Sequence, residues 1–229
     1  MDAVILAGGR GTRLNSVVMD VPKPMADIGG RPFLQYGLDH LLSQGIERLI
    51  LAVGYKYEAV RGYFGKAYQG VPIVYSIENE PLGTGGALRQ ALSLAEGKDV
   101  LAINGDSLFK IPLKPLWHFH EQKRAVLTVA LKRMSDCGRY GSVRVDGEGR
   151  IHSFEEKRAG ASGAINGGVY ILDRGFLSNL NLPERFSFEQ DVLEQGCSQF
   201  RFFAMELTDY FIDIGVPEDY ARATDELSM

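Results

Sequence analysis

Along the first half of the chain, short apolar runs alternate with helical periodicities. Ala3–Leu6, Leu49–Val53, Ile73–Ile77 and Val100–Ile103 are nearly continuous apolar stretches, the pattern of strands buried on both faces. Between the first two, Leu34, Leu38, Leu41 and Leu42 recur at helical spacing after Pro32, and Gly45 supplies a stop. Tyr57–Phe64 and Ala87–Leu94 predict two further helices. Such alternation predicts βαβ units and a mostly parallel sheet, whose ligands lie beyond the carboxyl ends of the strands.

The second half changes character. Val126–Leu131, Ser142–Val145, Ile151–Phe154 and Val169–Leu172 read as strands separated by glycine-rich turns such as Asp146-Gly147-Glu148-Gly149. Pro217–Leu227 reads as a closing helix with proline in its first turn. No repeat, linker or low-complexity segment interrupts the chain. The expectation is one domain over residues 1–229, with a nucleotide-binding half (1–110) and a second binding half (111–229).

Composition narrows the partners. At 229 residues with 45% hydrophobic positions, the chain can bury a large core without a disulfide or structural metal. A net charge of −4 leaves no cationic excess for a nucleic-acid backbone, so bound phosphate must be held by a few placed groups. Cys137 and Cys197 have no metal-ligand spacing and read as reduced thiols. The apolar opening ends at Gly8-Gly9-Arg10, too short for a signal core or a membrane span. A cytoplasmic protein with no membrane partner is expected.

The first strand runs into Ala7-Gly8-Gly9-Arg10-Gly11-Thr12-Arg13-Leu14. Its glycines let backbone N–H groups approach an anion, and Arg13 adds a fork of donors suited to phosphate. Pro22-Lys23-Pro24 then holds a lysine between two residues of fixed φ. A Walker A loop would need a lysine in the glycine turn. The dinucleotide fingerprint would need glycine where Leu14 stands. A tight structural turn remains the alternative for the glycines taken alone.

Together, G-G-x-G-T-R-L and P-K-P resemble the signature of the sugar-1-phosphate nucleotidyltransferases, also called nucleotide-sugar pyrophosphorylases. The resemblance continues through Glu80–Ala87, Asn104-Gly105-Asp106, Phe154-Glu155-Glu156-Lys157, Asn166-Gly167-Gly168-Val169-Tyr170 and Asp213-Ile214-Gly215. It therefore spans nearly the whole chain. Within the family, Arg139-Tyr140-Gly141 and the ending Tyr210–Tyr220 are most similar to bacterial D-glycero-α-D-manno-heptose 1-phosphate guanylyltransferases.

The resemblance implies an α/β, Rossmann-like (GT-A-like) fold, a mixed and mostly parallel sheet flanked by helices, with the sugar-binding half following the nucleotide-binding half. It implies transfer of a nucleotidyl group from a triphosphate, GTP favoured, to a sugar 1-phosphate, heptose favoured, with Mg²⁺ as cofactor. Arg13, Lys23 and Asp106 take the catalytic roles, and Arg13 and Lys23 are expected to be partly exposed. Leu6, Gly8, Gly9, Gly11, Thr12, Arg13, Lys23, Glu80, Gly83, Thr84 and Gly85 bind the nucleotide. Gly83, Gly85 and Gly86 would leave room for a flat base. Asn104, Gly141, Glu156, Lys157, Asn166 and Gly168 bind the sugar phosphate, and Asp106 with Asp213 holds the metal. Relatives commonly carry proline after the lysine of Glu156-Lys157; Arg158 stands here.

Other chemistries have little foothold. His40, His118, His120 and His152 form no metal-ligand spacing, and no G-x-S-x-G is present. Trp117 reads as packing. A nucleotide-sugar-consuming glycosyltransferase would show D-x-D, whereas Asp106-Ser107-Leu108 lacks the second aspartate. A non-catalytic nucleotide-sugar sensor would have lost the charged set, yet Arg13, Lys23, Asp106, Lys157 and Asp213 are all present.

Overall fold

The computed structural model describes residues 1–9, 21–155 and 162–228. Its first strands are Asp2–Leu6 (β1), Asp27–Ile28 (β2), Arg31–Pro32 (β3), Arg48–Val53 (β4), Ala67–Tyr68 (β5), Val71–Ile77 (β6) and Asp99–Asn104 (β7). The later ones are Ser107–Phe109 (β8), Leu127–Met134 (β9), Ser142–Val145 (β10), Ile151–Glu155 (β11), Gly163–Asp173 (β12), Phe202–Leu207 (β13) and Phe211–Asp213 (β14). Helices are Phe33–Ser43 (α1), Tyr57–Phe64 (α2), Gly83–Leu92 (α3), Leu113–Lys123 (α4) and Pro217–Leu227 (α5).

The main sheet has the order β13-β9-β12-β7-β1-β4-β6-β5. Its centre, β7-β1-β4-β6, is parallel, which aligns four carboxyl ends along one edge. β12 joins antiparallel to β7 and β9, so the second half of the chain extends the same sheet. The mixed, mostly parallel sheet read from the sequence is therefore present.

Alternation across this sheet explains the continuous apolar runs. On β1, Val4 packs with Ile50, Ala102 and Leu88 on one face, while Ala3 and Ile5 pack with Leu49, Leu51 and Leu38 on the other. All three β1 residues are fully buried. Water is excluded from both faces, and each strand must be apolar at every position. On α1, Leu34, Leu38 and Leu41 form the buried stripe, and Gly45 leaves the helix at φ 86°.

α3 begins at Gly83, four residues before the apolar periodicity starts. Its first turn is glycine-rich because another segment lies directly on it. A Cβ at Gly85 would be 2.2 Å from the Phe186 ring, and one at Gly86 would be 2.5 Å from the Glu184 carbonyl oxygen. Phe186 and Glu184 thus occupy the room those glycines leave.

Two short ribbons, β10–β11 and β14–β8, stand apart from the main sheet. β10 and β11 form an antiparallel pair, and the Asp146 carboxylate fixes their turn by accepting the N–H groups of Glu148 (2.9 Å) and Arg150 (3.0 Å). β14 pairs antiparallel with β8, setting Asp213 opposite Ser107. Ile212, Ile214 and Leu108 anchor that ribbon in a small core shared with Ala223 of α5. Cys137 and Cys197 are both buried. Among the described residues, no helix is long and apolar enough to cross a membrane.

Candidate active site

A cleft of about 1130 Å³ opens at the aligned strand ends. Leu6 at the end of β1 and Gly8 beyond it, Gly54 after β4, Glu78 after β6, Asn104 at the end of β7 and Asp106 beyond it all border it. This is where a parallel α/β sheet offers backbone and side chains to a ligand. Lys23, Glu80, Gly83, Thr84 and Asp213 border it as well, so much of the residue set read from the sequence converges there.

Lys23 opens a short 3-10 helix, Lys23–Met25, entered from the extended Pro22. Its Nζ donates to Asp106 Oδ2 at 2.6 Å and to Asp213 Oδ1 at 3.4 Å. The lysine is only 8% exposed, which corrects the expectation of a partly exposed side chain. Its aliphatic stem is enclosed, and its charge is balanced by two carboxylates rather than by water.

Burial and the nearby Asp106 carboxylate push the Asp213 pKa above the usual range, while Lys23 and the Gly215 N–H pull the other way. Two acidic groups held this close disfavour double ionisation unless a cation joins them. The arrangement fits a hard divalent cation, which takes one or two carboxylates and completes its shell with substrate phosphate and water. Among the described residues, no group of three or more His, Cys, Asp or Glu side chains forms a self-sufficient metal cage.

Other predicted residues have different surroundings. Gly85 is buried beneath Phe186 and does not border the cleft. Thr84 donates to Glu189 Oε2 at 2.6 Å and accepts the Phe188 N–H at 2.9 Å, tying the α3 entrance to a π-helical segment, Phe188–Glu194. Asn166 spends its amide inside the fold: Nδ2 donates to the Tyr170 hydroxyl (2.8 Å) and Oδ1 accepts the Gly168 N–H (3.0 Å). The buried Tyr170 hydroxyl also meets the Asn104 side chain, which links Asn166 to the cleft. Gly168 has φ 72°, and a Cβ there would be 3.0 Å from Asn104 Nδ2, so glycine is required on both counts. Gly141 (φ 77°) immediately precedes β10; it does not border the cleft itself, but its neighbour Tyr140 does.

Gly9 borders the cleft, while Gly11, Thr12, Arg13, Glu156 and Lys157 lie outside the described residues. Glu155, their neighbour, accepts from Ser142 Oγ at 3.0 Å and pairs with Arg144 across the β10–β11 ribbon.

Sequence reasoning missed several cleft residues: Tyr55, Glu78, Arg139, Tyr140, Arg185, Glu189 and Asp219. For Glu78 a signal existed, since it directly follows a buried strand. Arg139 and Asp219 lie in segments that carried the resemblance, but their pairing was not readable, because it joins the loop before β10 to α5 across 80 residues. Away from the cleft, His120 lies 3.5 Å from Asp99 Oδ1, and its Nδ1 is 2.8 Å from Thr128 Oγ1.

The nucleotidyl transferase family model matches residues 2–228. The chain belongs to this family. It is 47% identical to the D-glycero-α-D-manno-heptose 1-phosphate guanylyltransferase of Aneurinibacillus thermoaerophilus, over 99% of this chain and 98% of that protein. Identity to the protein of the same name from Campylobacter jejuni is 46%, over 96% and 97% of the two chains. The crystal structure of HddC from Yersinia pseudotuberculosis, complexed with GMP-PN, superimposes with a TM-score of 0.88 at 38% identity, covering 99% of both chains.

Proposed function

We propose that the chain transfers a guanylyl group from GTP to D-glycero-α-D-manno-heptose 1-phosphate, giving GDP-heptose and pyrophosphate in the cytoplasm. The observation that carries this reading is 47% identity over 99% of the chain to an enzyme named for that reaction. The cleft supports it, with a volume of about 1130 Å³ that can take a nucleotide and a sugar phosphate together. Residues 1–110 supply its nucleotide end and residues 111–229 its sugar end, within one domain.

In this reaction an oxygen of the sugar phosphate attacks the α-phosphorus. The new P–O bond forms as the bond from α-phosphorus to the bridging oxygen breaks, and pyrophosphate leaves with that electron pair. The nucleophile is already ionised, so no general base is required. The protein must instead align two anions and offset their repulsion. Lys23 supplies a buried positive charge at the nucleotide end, and Arg13 adds a second beside the departing pyrophosphate. Lys157 takes the sugar phosphate and Glu156 the sugar hydroxyls. Asp106 and Asp213 would hold Mg²⁺, which when bound offsets the charge of the two phosphate groups.

Pyrophosphate release tests the reading. It should require both GTP and the heptose 1-phosphate, stop with chelator and return with Mg²⁺. Release from neither substrate pair nor any alternative sugar phosphate would leave the sensor reading in its place.

A further inference from the structure

One buried carboxylate at the cleft has no part in the reaction above. Asp219 stands in the first turn of α5 and is only 7% exposed, yet it borders the cleft. A helix N-terminus favours its charge, but a carboxylate so far out of water also needs donors. Arg139, from the loop before β10, supplies them: its Nη2 donates to Asp219 Oδ2 and to the Tyr140 hydroxyl oxygen, the latter at 2.9 Å. Arg222 is farther off, 3.6 Å from Asp219 Oδ1, and is shared with Glu226.

Tyr140 ends this line of contacts, and it too borders the cleft. Phe211 of β14 holds its ring edge-on at 6.1 Å, and the Arg139 guanidinium carbon lies 5.3 Å from the ring centroid. The direction of the hydrogen bonds follows from the groups involved. A guanidinium can only donate, so the Tyr140 oxygen accepts and keeps its own hydrogen for another acceptor. Among the described residues, none takes that hydrogen. Burial and the nearby Asp213 carboxylate raise the Tyr140 pKa, so the hydroxyl remains a donor at neutral pH.

We infer that Asp219 is a positioning residue, holding Arg139 so that Arg139 aims the Tyr140 hydroxyl as a donor at the sugar-phosphate end of the cleft. The inference rests on the reaction proposed above. A sugar phosphate carries acceptor oxygens, and a donor helps only when it is already held where they arrive. The Arg139 side chain is 52% exposed. Without Asp219 it is free to swing into solvent, and the hydroxyl loses the bond that orients it. Asp219 thus acts two side chains away from the substrate.

The test is a double-mutant cycle on the full chain, with kcat/KM for heptose 1-phosphate and KM for GTP measured on Tyr140→Phe, Asp219→Ala and the pair combined. Each single variant should lose about tenfold in kcat/KM for the sugar phosphate, the worth of one aimed hydrogen bond, with KM for GTP nearly unchanged. The combined variant should also lose about tenfold rather than about a hundredfold, because both changes remove the same bond. Asp219→Asn keeps an oxygen for Arg139 and should recover part of the loss. If melting shows that Asp219→Ala is unfolded, Asp219→Asn replaces it in the cycle. Losses that multiply would overturn the inference, as would an equal rise in KM for both substrates, the mark of a merely structural brace. Unchanged kcat/KM in a folded Asp219 variant would overturn it too. Failure of the unaltered chain to release pyrophosphate with any sugar phosphate would instead overturn the proposed reaction, an outcome seen without any variant.

Discussion

Lys23 and Asp106 stand 83 residues apart in the chain and 2.6 Å apart in the fold. The contact joins the proline-framed segment to the end of β7, and Asp213 arrives beside it through the β14–β8 ribbon. Lys23→Ala should lower turnover by about 10²–10³-fold, the usual loss for one positioned charge-stabilising group. It should also cost stability, because a buried cation between two acids is removed. With Asp106 41% exposed on its side chain, solvent limits that cost to about 1–2 kcal/mol. Parallel thermal melts and steady-state rates check both effects; a variant with normal turnover would remove Lys23 from the reaction.

Asp213→Asn should separate metal binding from folding. The folded-state pKa of Asp213 is raised, so its ionised form costs stability at neutral pH, and that cost disappears as pH falls through the raised value. An uncharged isostere removes the same cost. Without metal at pH 7, the Tm of Asp213→Asn should equal or exceed that of the unaltered chain. The Tm increase produced by Mg²⁺ with GTP should shrink sharply. A large Tm drop in metal-free buffer would contradict this account of the carboxylate pair.

His120 predicts how stability responds to acid. Burial lowers its pKa despite the neighbouring Asp99. A histidine depressed in the folded state lets the unfolded chain take up the proton first, so stability holds above the unfolded value of about 6.5 and falls below it. The slope from this group is at most about 1.4 kcal/mol per pH unit. Tm measured from pH 7.5 to 5.0 should decline less steeply in His120→Gln than in the unaltered chain. Equal slopes would assign the acid sensitivity elsewhere.

Gly85 tests the packing role that the structure gives the α3 glycines. Gly85→Ala would place a methyl group into the Phe186 ring, and overpacking of this kind costs about 1–3 kcal/mol. The denaturation midpoint should fall accordingly. An unchanged midpoint would mean that the 184–188 segment yields freely.

The sheet was legible because its central strands are buried on both faces, and Val4 and Ile5 must both be apolar even though they point in opposite directions. The strand-end position of Asp106 followed from the same pattern. Its pairing with Asp213 did not, since a three-residue ribbon such as β14–β8 leaves no periodicity to read. The glycines of Glu80–Ala87 were visible, but their neighbour was not: Phe186 lies a hundred residues away, and a glycine records only that something comes close. Asn166 was singled out through the resemblance as a sugar-contacting residue, while its amide bonds to Tyr170 and Gly168 depend on a bulge in β12 that the sequence does not announce.

The central claim is the substrate pair, and a matrix of kcat/KM values measures it directly. GTP, ATP, UTP and dTTP would each be combined with the 1-phosphates of D-glycero-α-D-manno-heptose, mannose, glucose and N-acetylmuramate. Mannose lacks only the extra carbon and its hydroxyl, and a site that hydrogen-bonds that hydroxyl rejects the shorter sugar by leaving its own polar groups unpaired. GTP with heptose 1-phosphate should be the most efficient pair, ahead of GTP with mannose 1-phosphate. A best pair of UTP with N-acetylmuramate 1-phosphate, or of dTTP with glucose 1-phosphate, would contradict the proposed specificity.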